Sequence, residues 1–297
     1  MNTFIIKIGL FFIVLLFSDI GWSQTALEAF LKPADSLNVS RRNAVVISET
    51  VLFVGGIMQI NKPFKSDHSI AKFHCINDNL KCLQIDKFAH IFSSYQIGSF
   101  SYNALQWSGV SQKNKLIFGA GMGFVFLTSV EIFDGFKKGT SFGDIAANAF
   151  GTSLFVSQEL LWKEQRIIPK YSFHAMADHS TEILSTDLGK MKSNIGSEFD
   201  TQTFWISLNL YSFIKQTILP KWLNLAVGYG VEGISGAFIK SSPYRQLYVS
   251  FDVDLSKINT KSHLLKTLFY VFNTIKIPAP TIELSSFGHA KWHLIYF

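Results

Sequence analysis

Charge is what this chain has least of. Asp, Glu, Lys and Arg make up 16% of its 297 residues, where about a quarter is usual for a soluble domain. The basic residues are in excess by a formal +6, yet they form no long run and no Arg-rich helix. That pattern argues against a nucleic-acid partner. It suits solubility, or attraction to an anionic membrane surface. Cysteine is scarce too: Cys75 and Cys82 stand alone. Two readings remain for them, a small disulfide-closed loop in an oxidising compartment or two free thiols. A zinc site needs more ligands at tighter spacing. There is no Gly-rich phosphate loop, and no nucleophile elbow surrounds Ser93, Ser94 or Ser153. Internal repeats and low-complexity segments are absent.

What replaces charge is apolar surface. The hydrophobic fraction is 48%, and Phe alone occurs 29 times. That is ample for a core, with a surplus for lipid. Residues 1–23 read as a secretory signal peptide. Lys7 precedes the apolar run Ile8 to Phe17, and Gly21-Trp22-Ser23 precede Gln24. Small residues at 21 and 23 suit signal peptidase, and the run is short for a membrane anchor. No Cys lies near this junction, so no lipid anchor is expected there. The mature chain is expected beyond the cytoplasmic membrane.

Patterning predicts an α+β protein: about four apolar helices packed as a bundle, then a smaller antiparallel β part with one further helix. The helices are expected near 43–60, 86–108, 114–134 and 142–162. The turn Asn61-Lys62-Pro63 ends the first, and Thr140 or Ser141 caps the fourth. The uncharged stretch Leu116 to Val130 is short for a membrane span. That favours a buried core helix, or one that enters lipid only in part. The natural division places a helical domain over 24–168 and a strand-rich part over 169–297. Residues 170–201 read as polar and irregular. Gln246 to Leu255 alternates as a half-buried strand, Thr203 to Phe213 and Trp222 to Tyr229 less cleanly. Residues 262–275 are helical in pattern, and Ala290 to Phe297 returns to alternation. About five strands are legible.

The helical domain holds the candidate site. Asp86, Lys87 and His90 open the second helix, with Asp86 and His90 four apart on one face. Glu131 and Asp134 close the third. Asp144 and Asn148 share a face of the fourth. An ionisable group in apolar surroundings must be paired, neutralised or used. One reading is structural: a polar network that specifies packing. The other is functional, with His90, Asp86, Glu131 and Asp144 as catalytic residues and Lys87, Asp134 and Asn148 contacting substrate. His90 would be the base and a desolvated carboxylate the acid or orienter. The same donors suit a divalent cation, although the sequence names no cofactor. Glu49 either lines this site or turns to solvent. His74, His174 and His179 read as loop or surface residues. Trp205, Tyr229, Tyr248 and Trp292 stand either as an interfacial belt or as ordinary packing.

Asp86-Lys87-x-x-His90, Glu131-x-x-Asp134 and Gly139-Thr140-Ser141-Phe142-x-Asp144 with Asn148 and Gly151 resemble the YfiM-like family. Its members are predicted periplasmic lipoproteins carrying a domain of unknown function. The loop Phe73-His74-x-x-Asn77-Asp78-Asn79 resembles the longer members. So do Pro220-Lys221-Trp222-Leu223-Asn224, Tyr244-Arg245-Gln246 and Ile277-Pro278-Ala279-Pro280. The resemblance covers roughly 43–297. The order of the site residues is more loosely similar to VanZ-like membrane proteins. No activity is established for the family, so the resemblance implies location and architecture rather than chemistry. The expectation is an exported, membrane-associated envelope protein, structural or lipid-interacting, with membrane lipid as its partner. The outer membrane is favoured over a periplasmic or inner-membrane state. The alternative is a membrane-associated hydrolase or transferase acting on an envelope lipid or glycan.

Overall fold

The computed structural model describes residues 23–60, 72–78, 81–173, 199–215, 218–234 and 243–296. The signal-peptide run, the turn at 61–63, Asn79, His174, His179 and Phe297 lie outside those residues. The fold is α+β, with seven helices and a six-stranded antiparallel sheet among the described residues. The helices are α1 (Ser23–Leu31), α2 (Val39–Ile60), α3 (Ile85–Trp107), α4 (Met122–Asp134), α5 (Phe142–Leu161), α6 (Leu210–Ile214) and α7 (His263–Phe272). A π-helical stretch, Lys115–Ala120, leads into α4.

Helices α3, α4 and α5 pack closely on one another. Glycine sets two of the contacts. A Cβ on Gly123 of α4 would overlap the main-chain carbonyl of Ser94, and one on Gly151 of α5 would overlap that of Ile91. Both partners lie on α3, so small residues let the backbones meet. The expected fourth member behaves differently. Along α2, among the described side chains, only Val45 is buried, while Val46, Ile47, Val51, Leu52, Val54 and Met58 are exposed. It is held to the other three by Ser101 Oγ donating to Glu49 Oε1 at 2.6 Å and by Phe53 against Phe126. Glu49 therefore lies about 16 Å along α3 from His90, away from the candidate site, and burial raises its carboxyl. The continuous helical run Gln112–Asp134 is long and apolar enough to cross a bilayer, and only 22% of its most apolar window is buried. It is not the buried core helix that its length suggested.

The sheet is a meander in the order β3 (Ile167–Phe173), β4 (Gln202–Asn209), β5 (Leu223–Glu232), β6 (Tyr244–Val253), β7 (Ala279–Ser285) and β8 (Ala290–Tyr296). The short pair β1 (Cys75–Ile76) and β2 (Thr140–Ser141) is separate and parallel. Two of the six strands, β3 and β7, were not among the segments named from the sequence, and each contains a proline. Pro169 lies in β3, an edge strand, and part of the stretch read as irregular is therefore sheet. Pro280 lies in β7 at a register shift between Ala279 and Thr281. Edges and bulges are where a strand tolerates a residue without an N–H.

The sheet faces are reversed relative to a water-soluble sheet. On β6, Tyr248 is 1% exposed and Asp252 1%, while Leu247 is 49% and Phe251 56% exposed. Register carries this across the strands. The row Lys170, Trp205, Gly228, Tyr248 and Glu283 faces inward. The row Val227, Val249, Ile282 and Trp292 faces out and is exposed. The sheet curls around the polar side: the Thr203 hydroxyl on β4 lies 3.1 Å from that of Tyr296 on β8. Trp205 and Tyr248 therefore sit inside and Tyr229 packs under α3; of the four aromatics read as either a belt or ordinary packing, Trp292 alone is exposed. Helix α3 covers one corner of the outer face, with Phe88 stacked on Tyr229 at 4.5 Å and Phe92 against Tyr171 and Phe204.

A sealed polar network fills one end of the curl. Lys170 Nζ meets Asp252 Oδ2 at 2.8 Å, both side chains wholly buried. Lys276 lies beside them, donates to the Ile277 carbonyl at 2.7 Å and faces the Trp205 ring at 4.9 Å. Burial pulls its ammonium down to about 8, Asp252 opposing and Lys170 reinforcing. The ordinary value is 10.5, so between the two the unfolded chain binds more protons than the folded one. Stability should rise as pH climbs through that window. Lys276→Met should remove the rise and stabilise the protein by about 2–3 kcal/mol at pH 7, the shift less one lost hydrogen bond. Urea titrations of both proteins at pH 7 and pH 10 check this. Equal pH dependence in the two would count against it.

Candidate functional site

Three consecutive antiparallel helices bring the start of α3, the end of α4 and the start of α5 to one end of the molecule. Asp86 lies in the first turn of α3, and Asp144 in the first turn of α5, where negative charge is favoured. Of the two capping candidates, Ser141 caps α5, its Oγ accepting from Asp144 N at 3.2 Å. Glu131 and Asp134 sit in the last turn of α4 and are both buried.

His90 is the centre. Its Nε2 lies 3.6 Å from Glu131 Oε1, 3.8 Å from Asp144 Oδ1 and 4.0 Å from Asp86 Oδ1. Its Nδ1 lies 2.9 Å from Asn148 Oδ1. An amide oxygen only accepts, so Nδ1 donates to it, and Nε2 is the ring atom that faces the three carboxylates. Lys87 Nζ contacts Asp144 Oδ1 at 2.6 Å and Asp78 Oδ1 at 2.7 Å. Asp134 turns aside to Lys138, 3.1 Å away.

The electrostatics follow from burial and from a shortage of cations. Burial raises the Asp86 carboxyl above its ordinary value, and the nearby Asp144 adds to this. Burial also raises Glu131, against the pull of His90. Burial works against the Lys87 charge, but hydrogen bonds to Asp144 and Asp78 outweigh it and hold the ammonium above its usual value. For Asp78 burial is likewise outweighed, by hydrogen bonds from Lys87 and Ser141, and its carboxyl is held low.

The structure thus brings Asp86, His90, Glu131, Asp144, Lys87 and Asn148 together. Asp134 borders the group without joining the ring around His90. Sequence reasoning missed Asp78 as a member. It arrives because the loop 72–78 docks on the α4–α5 connection, where β1 pairs with β2, His74 N donates to the Gly135 carbonyl and Thr140 N to that of His74. The Asx-rich composition of the loop was visible, but its docking was not. No disulfide joins Cys75 and Cys82. Ser94 serves packing, its Oγ donating to the Asn148 carbonyl at 2.6 Å.

A family model described as "Predicted periplasmic lipoprotein (DUF2279)" matches residues 76–158. Every residue of the cluster falls in that span, and the description fits an exported protein of the cell envelope. No curated protein and no solved structure matches the chain.

Proposed function

We propose that this chain is an exported, membrane-associated envelope protein whose apolar exterior contacts lipid, the outer membrane being the favoured location. The observation that carries the reading is the reversal of inside and outside. Among the described residues, about forty large hydrophobic side chains are exposed, and buried polar residues outnumber buried hydrophobic ones by about two to one, the opposite of a water-soluble protein. The exposed set covers α2, the outer side of α4, Phe150, Leu160 and Leu161 of α5, and the outer face of the sheet. The helical part to residue 168 and the strand-rich part beyond it share this exterior. Among the described residues the sheet has six strands, and the reading is association with a bilayer. The YfiM-like resemblance supports the envelope, and the VanZ-like one supports contact with lipid.

A second reading rests on the ring around His90: a hydrolase or transferase acting on an envelope lipid or glycan. His90 would serve as base, with Glu131 or Asp86, whose carboxyls burial raises, as acid. The site lies at the end of the helices, where the headgroup of a lipid held against their sides would arrive.

Density-gradient fractionation with a carbonate wash tests the first reading. The chain should stay with outer-membrane markers. Ile282→Arg with Phe251→Arg, two exposed positions on the outer face, should weaken retention, since Arg at lipid depth costs about 2–4 kcal/mol. Recovery of the unaltered chain in the soluble periplasmic fraction would refute lipid contact. Recovery with inner-membrane markers would move the protein to the VanZ-like setting.

A further inference from the structure

We propose that His90 Nε2 and the carboxylates of Asp86, Glu131 and Asp144 bind one divalent first-row transition cation. The first observation is geometric. Ligand atoms of Asp86, His90 and Asp144 lie within 4.8 Å of one another, and Glu131 Oε1 reaches 3.6 Å from the same nitrogen. A tetrahedral ion with bonds of about 2.0–2.2 Å separates its ligands by roughly 3.3–3.6 Å, and the three carboxylate oxygens, at 3.6–4.0 Å from Nε2, would be drawn inward on binding. The atoms are too far apart to hydrogen-bond one another.

The second observation concerns groups left without partners. With Nδ1 engaged by Asn148, Nε2 is the ring atom turned toward three carboxylates. Of the carboxylates of Asp78, Asp86, Glu131 and Asp144, the Lys87 ammonium contacts those of Asp78 and Asp144, while Lys138 pairs with Asp134 and acts on Glu131 and Asp86 from farther off. Glu131, 95% buried, places Oε1 3.6 Å from His90 Nε2, its other oxygen accepting a long bond from Ser141 N at 3.4 Å. Asn148 is wholly buried, and its Nδ2 has no partner. A cation would join the facing lone pairs, and a water on that cation would give Nδ2 an acceptor. Asn148 would act as the orienting partner that metal-bound histidines regularly have. One imidazole with three carboxylates favours Mn²⁺, Fe²⁺ or Zn²⁺ over Ca²⁺. Lys87 competes with the ion for Asp144.

The site stands apart from the lipid-facing exterior, so its failure would leave the membrane reading untouched. The test is titration calorimetry of the full exported chain in detergent, stripped with EDTA, against ZnCl₂ and MnCl₂. One equivalent should bind. His90→Gln and Glu131→Gln should each weaken binding at least about 100-fold, Asn148→Leu about 10- to 100-fold, and Lys87→Met should leave it equal or tighter. The bound Mn²⁺ should show nitrogen coupling in its spin-echo spectrum, lost in His90→Gln. Circular dichroism confirms that each variant is folded, and Glu131→Gln, nearly isosteric, serves where His90→Gln does not fold. Absence of a saturable site, or equal binding by wild type and Glu131→Gln, would overturn the proposal and leave His90 within a structural network.

Discussion

Asp252→Ala should cost about 3–5 kcal/mol, the usual penalty for stripping one partner from a buried ion pair. The carboxylate meets Lys170 at 2.8 Å with both side chains fully enclosed. It also accepts from Ser207 Oγ at 2.7 Å and from Ile277 N at 3.0 Å. Lys170 would keep only the Val253 carbonyl and Asn273 Oδ1 as acceptors, and Lys276 would lose its nearest anion. Whole-protein stabilities are about 5–15 kcal/mol, so the loss is a large share of the total. Urea unfolding of the detergent-solubilised protein measures it. Replacing both charges, Lys170→Met with Asp252→Leu, should recover most of the loss, because apolar substitutes of similar size often match a buried pair. An Asp252→Ala protein as stable as wild type would mean that water reaches this end of the sheet.

Gly123→Val should be nearly as damaging, by about 3 kcal/mol, for a different reason. There is no room for a Cβ between α4 and the Ser94 carbonyl, and the obstacle is backbone, so the helices themselves must separate. The displacement has a local consequence. Glu131 rides on α4 and His90 on α3, and their 3.6 Å approach would open. Gly55→Ala is the control. Nothing lies within 4 Å of a Cβ there, and the exchange on α2 should be neutral or stabilising by up to about 1 kcal/mol. Thermal melts of the two variants should diverge in opposite directions. A Gly123→Val protein that melts with wild type would contradict the close packing of α3 on α4.

These effects show which parts of the fold could be read from residues alone. Asp86 and His90 were legible as one surface because positions four apart share a helical face. Glu131 and Asp144 were legible as neighbours because one ends a helix and the other begins the next. Asp78 was not, since a loop's docking is a tertiary matter with no period to reveal it. The alternation of Gln246 to Leu255 announced a strand with two unlike faces. It did not say which face was inside, because period two is the same for a water-soluble sheet and a lipid-facing one. Burial decides that, and it put Ser250 and Asp252 in and Val249 and Phe251 out. Pro169 and Pro280 lie in the two strands that were not named from the sequence. The apolar run of α2 suggested a core helix, whereas most of its large side chains are exposed.

The account rests on the outward apolar faces meeting lipid, and strand β6 offers the most direct measurement. Single cysteines at Leu247, Val249 and Phe251, and at Gln246, Tyr248 and Ser250, would carry nitroxide labels, with Cys75 and Cys82 replaced by Ser and the protein in liposomes. Oxygen collects in the hydrocarbon and charged nickel complexes stay in water. Labels at Leu247, Val249 and Phe251 should show high collision rates with oxygen and low rates with nickel, and those at the other three should be shielded from oxygen. High nickel accessibility at Leu247, Val249 and Phe251 would contradict the account.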